Sequence, residues 1–128
     1  QVSVEQGIRL RGVEPLPPEL EAGQSLDVTL IWEALPQITQ DARDYTVFLQ
    51  LLGPDNAVIA QNDSQPQQGQ APTATWTPGE VIRDTTTLTL PDSLPAGQYR
   101  LIAGLYHFDT GERLLTPEGD FVTLKVWE

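Results

Sequence analysis

Ser25-Leu26-Asp27-Val28-Thr29-Leu30-Ile31-Trp32 (SLDVTLIW, residues 25–32) decides the fold. Leu26, Val28, Leu30 and Trp32 alternate with Asp27, Thr29 and Ile31. Successive side chains of an extended chain point to opposite faces, so this rhythm predicts a half-buried strand over residues 25–35 with its apolar face on a core. Trp32 continues the inward register and is expected to be core.

The same period recurs on both sides. Tyr45, Val47, Leu49 and Leu51 share one face of residues 44–52, while Thr46, Phe48, Gln50 and Leu52 make the other face only partly polar. Cover on both faces marks a central strand. Gly53-Pro54-Asp55-Asn56 is a dense turn signal, and residues 57–62 (AVIAQN) read as the return strand of a hairpin. Residues 63–79 lose the period and hold three Pro, two Gly and four Gln around a single Trp76, so they read as an ordered surface loop. Alternation resumes over 81–90, with Thr86, Leu88 and Leu90 opposite Thr85, Thr87 and Thr89. Residues 98–108 (QYRLIAGLYHF) form the most apolar strand, and Asp109-Thr110-Gly111-Glu112 turns the chain into a partner strand beginning at 113–115. Residues 121–127 (FVTLKVW) close the series with Val122, Leu124 and Val126 on one face, and 8–13 is a weaker opening strand.

No segment carries a useful helix period. Residues 17–22 (PPELEA) hold two prolines and at most a 3₁₀ turn. Ala-Gly-Gln precedes a strand at both 22–24 and 96–98, and Gly23 and Gly97 are expected at φ > 0. Seven to eight short strands at turn-punctuated spacing predict an all-β, antiparallel β-sandwich, immunoglobulin/fibronectin III-like, with a jelly roll second. The whole of residues 1–128 reads as one such domain. A chain this long buries roughly two-thirds of its unfolded surface.

Charge narrows the function. Seven Lys and Arg stand against eighteen Asp and Glu, a net charge of −11, with one His and neither Cys nor Met in 128 residues. Nucleic-acid binding needs clustered positive charge, and an anionic membrane surface attracts the same sign. Without Cys there is no disulfide framework or cysteine nucleophile. No run approaches the roughly 18 apolar residues of a membrane span, so no direct membrane insertion is expected. The chain begins at Gln1, and the expectation is a domain excised from a longer polypeptide. Neighbouring domains of that polypeptide are its expected partners.

Chemistry-bearing residues are few. His107 has Asp109 two residues on, the same side of an extended strand, but no Gly-x-Ser-x-Gly elbow accompanies them. One His cannot build a zinc site without several other ligands. Glu33, Asp44 and Asp109 are nominal candidates for a glycosidase acid pair, and Asp55, Asn56, Asp63, Asp84 and Asp109 fall near predicted turns where calcium could sit. No Asp-x-Asp-x-Asp loop is present, so turn chemistry and solubility take precedence, and neither metal nor cofactor is expected. Trp76 either stacks on a sugar ring or plugs its loop onto the sandwich, and the plug is favoured because a long loop needs an anchor. Trp127 caps a sheet edge or faces a neighbouring domain.

The order of motifs carries a resemblance. Tyr45-Thr46-Val47-Phe48-Leu49-Gln50-Leu51, Ala60-Gln61-Asn62-Asp63, Pro66, Gly69, Pro72-Thr73 and Trp76-Thr77-Pro78-Gly79-Glu80 come first. Asp84, Leu88-Thr89-Leu90-Pro91, Ala96-Gly97-Gln98-Tyr99-Arg100-Leu101, Gly104-Leu105-Tyr106 and Gly111-Glu112-Arg113-Leu114 come after them. This run, roughly Leu10 to Leu115, resembles an uncharacterised β-sandwich module at the C-terminal end of large bacterial membrane proteins. Those proteins look like glycosyltransferases of the dolichyl-phosphate-mannose-dependent type. The resemblance implies an extracytoplasmic location, tethered through a membrane part, and an accessory role. It implies no catalytic residue and no ligand. Three readings are ranked in order: a non-catalytic extracytoplasmic accessory or interaction module; a carbohydrate-binding module using Trp76, Tyr106 and His107 on glycans; and, last, an enzyme.

Overall fold

A computed structural model of the chain describes residues 2–4, 7–36 and 44–128. The chain runs through β1 (Val2–Val4), β2 (Ile8–Val13), β3 (Ser25–Ala34), β4 (Tyr45–Leu52), β5 (Val58–Ser64), β6 (Val81–Thr89), β7 (Tyr99–His107) and β8 (Val122–Trp127). All pairings are antiparallel. One four-stranded sheet has the order β1-β2-β3-β6 and the other β5-β4-β7-β8. The described residues contain no α-helix. The predicted antiparallel β-sandwich is the observed one.

Alternation places the core where the sequence puts it. Leu26, Val28, Leu30 and Trp32 of β3 are buried against Tyr45, Val47, Leu49 and Leu51 of β4 and Leu101, Ala103 and Leu105 of β7 in one cluster. The non-inward face of β3 and β6 is laced by cross-strand pairs. Thr29 and Thr85 stand opposite each other with their hydroxyls 2.8 Å apart, and Thr87 donates to Asp27 at 2.6 Å. Such pairs suit a solvated sheet face. Turn chemistry also holds: Gly23 (φ 76°) and Gly97 (φ 141°) both take the positive angles expected of them. Asp55 and Asn56 sit at φ 59° and 61° in the β4–β5 turn, where Arg100 donates to Asn56 Oδ1 at 2.9 Å.

Three local expectations are corrected, and one strand was missed. β1 was not legible in the period. The return strand β5 runs on through Ser64, beyond Asn62. Residues 113–115 do not start a strand: they make one bridge, Tyr106 to Arg113, and Leu114 N–H donates to Leu105 O at 2.9 Å. The partner of β7 is instead β8, which pairs from Tyr99 to Ala103. The predicted shared face of Val122 and Val126 is broken by a register shift at Leu101/Ile102, whose partners are Lys125 and Thr123. One extra residue, Leu124, reverses the phase of the last three positions of the strand. Val126 is therefore 43 % exposed while Trp127 turns inward at 7 %.

Two polar contacts close the end of the sandwich near Trp127. The Tyr99 hydroxyl donates to the Pro95 carbonyl. The Trp127 indole N–H donates to the Pro17 carbonyl at 3.0 Å, across 110 residues of sequence. Trp127 thus caps the sheet, one of its two expected roles.

The outer face of the second sheet carries its own small cluster. Phe48, Leu52 and Ile102 are buried under Tyr106 and Phe121, with the Arg113 guanidinium 4.2 Å from the Phe48 ring centre. The Phe48 ring fits only because residue 104 is glycine. A Cβ there would lie 2.4 Å from two atoms of that ring and 3.1 Å from the Asp120 carbonyl oxygen. Gly104→Ala is accordingly expected to destabilise the domain by about 1–3 kcal/mol, the usual cost of overpacking, read as a lower urea midpoint at unchanged slope.

Candidate functional site

The ends of three strands converge beside the β7 turn. Asp44 lies just before Tyr45, the first residue of β4, while β5 ends at Asp63 and Ser64 and β7 ends at Tyr106 and His107. Between them lies an open groove of about 740 Å³, continued by Phe108 and Asp109. Period two explains its composition. Tyr106 pairs with Thr46 on the outer face, whereas His107 pairs with the inward Tyr45. The groove therefore wraps over the sheet's end and sees both sides of β7.

Several polar groups there have partners, whereas the buried Ser64 hydroxyl has none among the described residues. The Tyr106 hydroxyl donates to Asp63 Oδ2 at 3.1 Å. Burial raises the Tyr106 pKa above 10.0, and the hydrogen bond to Asp63 and its negative charge push the same way. His107 Nδ1 lies 3.3 Å from the Thr110 hydroxyl, and its ring meets Tyr45 edge-on at 6.2 Å. Which of the two hydrogen-bonded atoms donates depends on the tautomer. The partnership of His107 with Asp109 allowed by their spacing is replaced by this contact with Thr110, because the chain turns at once: Gly111 N–H donates to His107 O at 2.7 Å. Asp44 Oδ1 accepts from Ala74 N–H at 2.9 Å. Phe108 alone presents a large apolar surface, 73 % exposed.

Of the three residues singled out for sugar binding, the structure brings Tyr106 and His107 together and sets Trp76 apart. Trp76 is 4 % exposed, belongs to the main core cluster and donates its indole N–H to the Ala71 carbonyl at 2.9 Å. Its ring is therefore not available for stacking, and the loop-plug alternative is the geometry observed. Beside it Thr73, also buried, accepts the Tyr45 N–H at 2.9 Å, while Glu80 accepts the Thr77 N–H at 3.0 Å. Phe108 is the aromatic that spacing alone did not pick out. Its signal was its place in the phase of β7, one step past the inward His107.

Of the carboxylates considered for calcium or hydrolysis, Asp44, Asp63 and Asp109 share the groove and the others lie elsewhere. Asp55 and Asn56 sit in the β4–β5 turn, Asp63 faces Tyr106, Asp109 lies at the groove, and Glu33 receives Arg9 with Nε at 3.0 Å from its Oε1. Among the described residues, no group of three or more His, Cys, Asp or Glu is placed to hold a metal ion. Asp84 is not at a turn at all. It occupies an inward position of β6 at 0 % exposure, with Oδ1 accepting the Gln67 N–H at 2.9 Å and Oδ2 lacking a partner among the described residues.

No protein-family model matches the chain, and no curated protein matches it.

Trp76→Ala should cost about 3–5 kcal/mol of stability, as for a packed aromatic, measured by denaturant unfolding. A loss near zero would contradict its core role. Asp84 gives a pH signature. Burial raises its pKa above the ordinary 3.8, and the Gln67 N–H only partly opposes that. A carboxyl raised in the folded state favours folding when protonated, so its contribution is full below the ordinary value and fades as pH rises through the raised one. The stability of Asp84→Asn relative to the parent chain is thus expected to improve as pH rises above the ordinary 3.8 and to level off once the raised value is passed, read from paired melts across that range.

Proposed function

We propose that the chain is a non-catalytic accessory or interaction module, acting outside the cytoplasm as part of a membrane-anchored bacterial protein, with neighbouring domains of that polypeptide as its partners. The observation that carries this reading is the engagement of three of the groove's titratable side chains in scaffold contacts. Asp44 caps a backbone N–H, Asp63 holds the Tyr106 hydroxyl, and His107 meets a threonine hydroxyl and an aromatic edge. Each positions the scaffold, and none is paired as a base with a nucleophile. A net charge of −11 and the lack of Cys accord with a soluble surface outside the reducing cytoplasm.

Strand order supports an immunoglobulin/fibronectin III-like classification. In that class strands A, B and E share one sheet and C, F and G the other, with C′ added beside C in some members. Reading β2 to β8 as A, B, C, C′, E, F and G in chain order reproduces both sheets. The bond from Tyr99, the first residue of β7, back to Pro95 has the form of the tyrosine corner found at the start of strand F. Domains of this class serve as spacers and docking surfaces on many unrelated proteins, so the classification supports an accessory role by analogy.

One observation favours glycan binding as a second reading. The exposed Phe108 ring stands beside Asp63, Asp109, Tyr106 and His107 in one open groove, an apolar face flanked by hydrogen-bonding groups. The two readings separate in a titration of the labelled domain with a glycan panel at millimolar concentration, followed by NMR. The accessory reading expects no shifts at Tyr106, His107 or Phe108. Shifts confined to these residues would replace it with glycan recognition. The location is tested with an epitope tag on the domain in the full-length protein. Protease added to spheroplasts is expected to remove the tag while a cytoplasmic marker survives, and a protected tag would overturn the extracytoplasmic assignment.

A further inference from the structure

β6 is the last strand of its sheet. Its residues 82, 84, 86 and 88 turn their side chains inward, and Leu90 N–H bonds across to Gln24 O at 2.8 Å, in phase with them. In an antiparallel ladder the backbone groups of alternate residues point to opposite sides. The carbonyls of Arg83, Thr85 and Thr87 therefore face away from β3, along an open edge.

All three are taken by side-chain amides. Gln67 Nε2 donates to Arg83 O at 3.0 Å, Gln68 Nε2 to Thr85 O at 2.9 Å, and Asn62 Nδ2 to Thr87 O at 3.0 Å. The donors line the edge as the backbone amides of a neighbouring strand would. Two further features hold them there. Gln67 and Gln68 both adopt left-handed backbone angles, φ 54° and 56°, that L-residues avoid. Pro66 beside them is buried, and the Gln67 N–H is fixed on Asp84 Oδ1 at 2.9 Å. Two consecutive unfavourable residues persist only where the surroundings over-determine them.

We infer that Asn62, Gln67 and Gln68 form a side-chain surrogate strand that closes the β6 edge against antiparallel pairing with β6 of a second copy of this chain. An unpaired edge is a template for another strand, and β6 is a strong one. Its residues VIRDTTTLT are mostly β-branched, and Val81, Thr85, Thr87 and Thr89 are exposed. Two copies related by a two-fold axis through Thr85 would set Thr85 against Thr85 and Arg83 against Thr87. Such a pairing is self-complementary and brings no like charges directly opposite one another on the exposed face. The amides remove the acceptors this pairing needs without a second chain.

The test is self-association of the intact domain by sedimentation equilibrium at about 0.15 M salt, where the repulsion of the net charge is largely screened. Far-UV circular dichroism checks the fold. The double variant Gln67→Ala/Gln68→Ala is expected to stay folded and to associate at least about tenfold more tightly than the parent. Adding Thr85→Pro removes an edge-facing N–H while sparing the β3 ladder, and is expected to restore the monomer. A folded double variant that stays monomeric would overturn the inference, as would a dimer indifferent to Thr85→Pro. If the double variant fails to fold, Gln68→Ala carries the same test, because its amide bond to Thr85 O is solvent-exposed. A smaller rise in association supports the inference, and an unchanged monomer defeats it.

Discussion

Exclusion of water from between two sheets governs this molecule. The rows Leu26-Val28-Leu30-Trp32, Tyr45-Val47-Leu49-Leu51 and Leu101-Ala103-Leu105 fill one contiguous core. Each row exists because every second side chain of an extended strand shares a face. Once these rows are committed inward, the intervening residues are committed outward, and they set the charge pairs, the threonine ladder and the groove. Even the groove's mixed character has this origin. At the end of β7 the inward and outward rows run out together, so Tyr106 from one side and His107 from the other line the same opening.

Much of this was legible in the chain. Seven strands emerge from period two and turn residues, and the inward row of β3 and the two faces of β4 were named position by position. The features that escaped did so for physical reasons. β1 is only three residues long, too short to establish a rhythm. The extra residue in β8 shifts the phase without leaving any mark in residue type, so Val126 and Trp127 exchange faces. Asp84 stands at an inward position, but its type suggested a turn. Only the loop that brings the Gln67 N–H to it shows why a carboxylate is tolerated inside. Trp76 was ambiguous for the opposite reason: a lone aromatic in an aperiodic loop has no phase to say which way it points. Of the candidate binding residues, Tyr106 and His107 share a site because they are sequence neighbours at a strand end. Trp76 could be excluded only by its burial.

The loop between β5 and β6 gathers most of the departures from simple patterning. It supplies a core tryptophan, a buried proline, a buried threonine that satisfies the first N–H of β4, and the amides on the β6 edge. Its glutamines looked like unpatterned polarity. Their role depends on backbone carbonyls about sixteen residues away, a relation that no local spacing contains. Long-range satisfaction of backbone groups is an accounting that only the assembled fold can close.

The contact between Trp127 and Pro17 bears on how the domain would answer mechanical load. The indole fastens the final strand to the segment between β2 and β3, so β8 is held by more than its ladder to β7. Tension applied beyond Trp127 would meet this clasp before it could peel β8 away one rung at a time. A terminal strand with such a fastening passes force into the body of the sandwich and resists fraying at its margin.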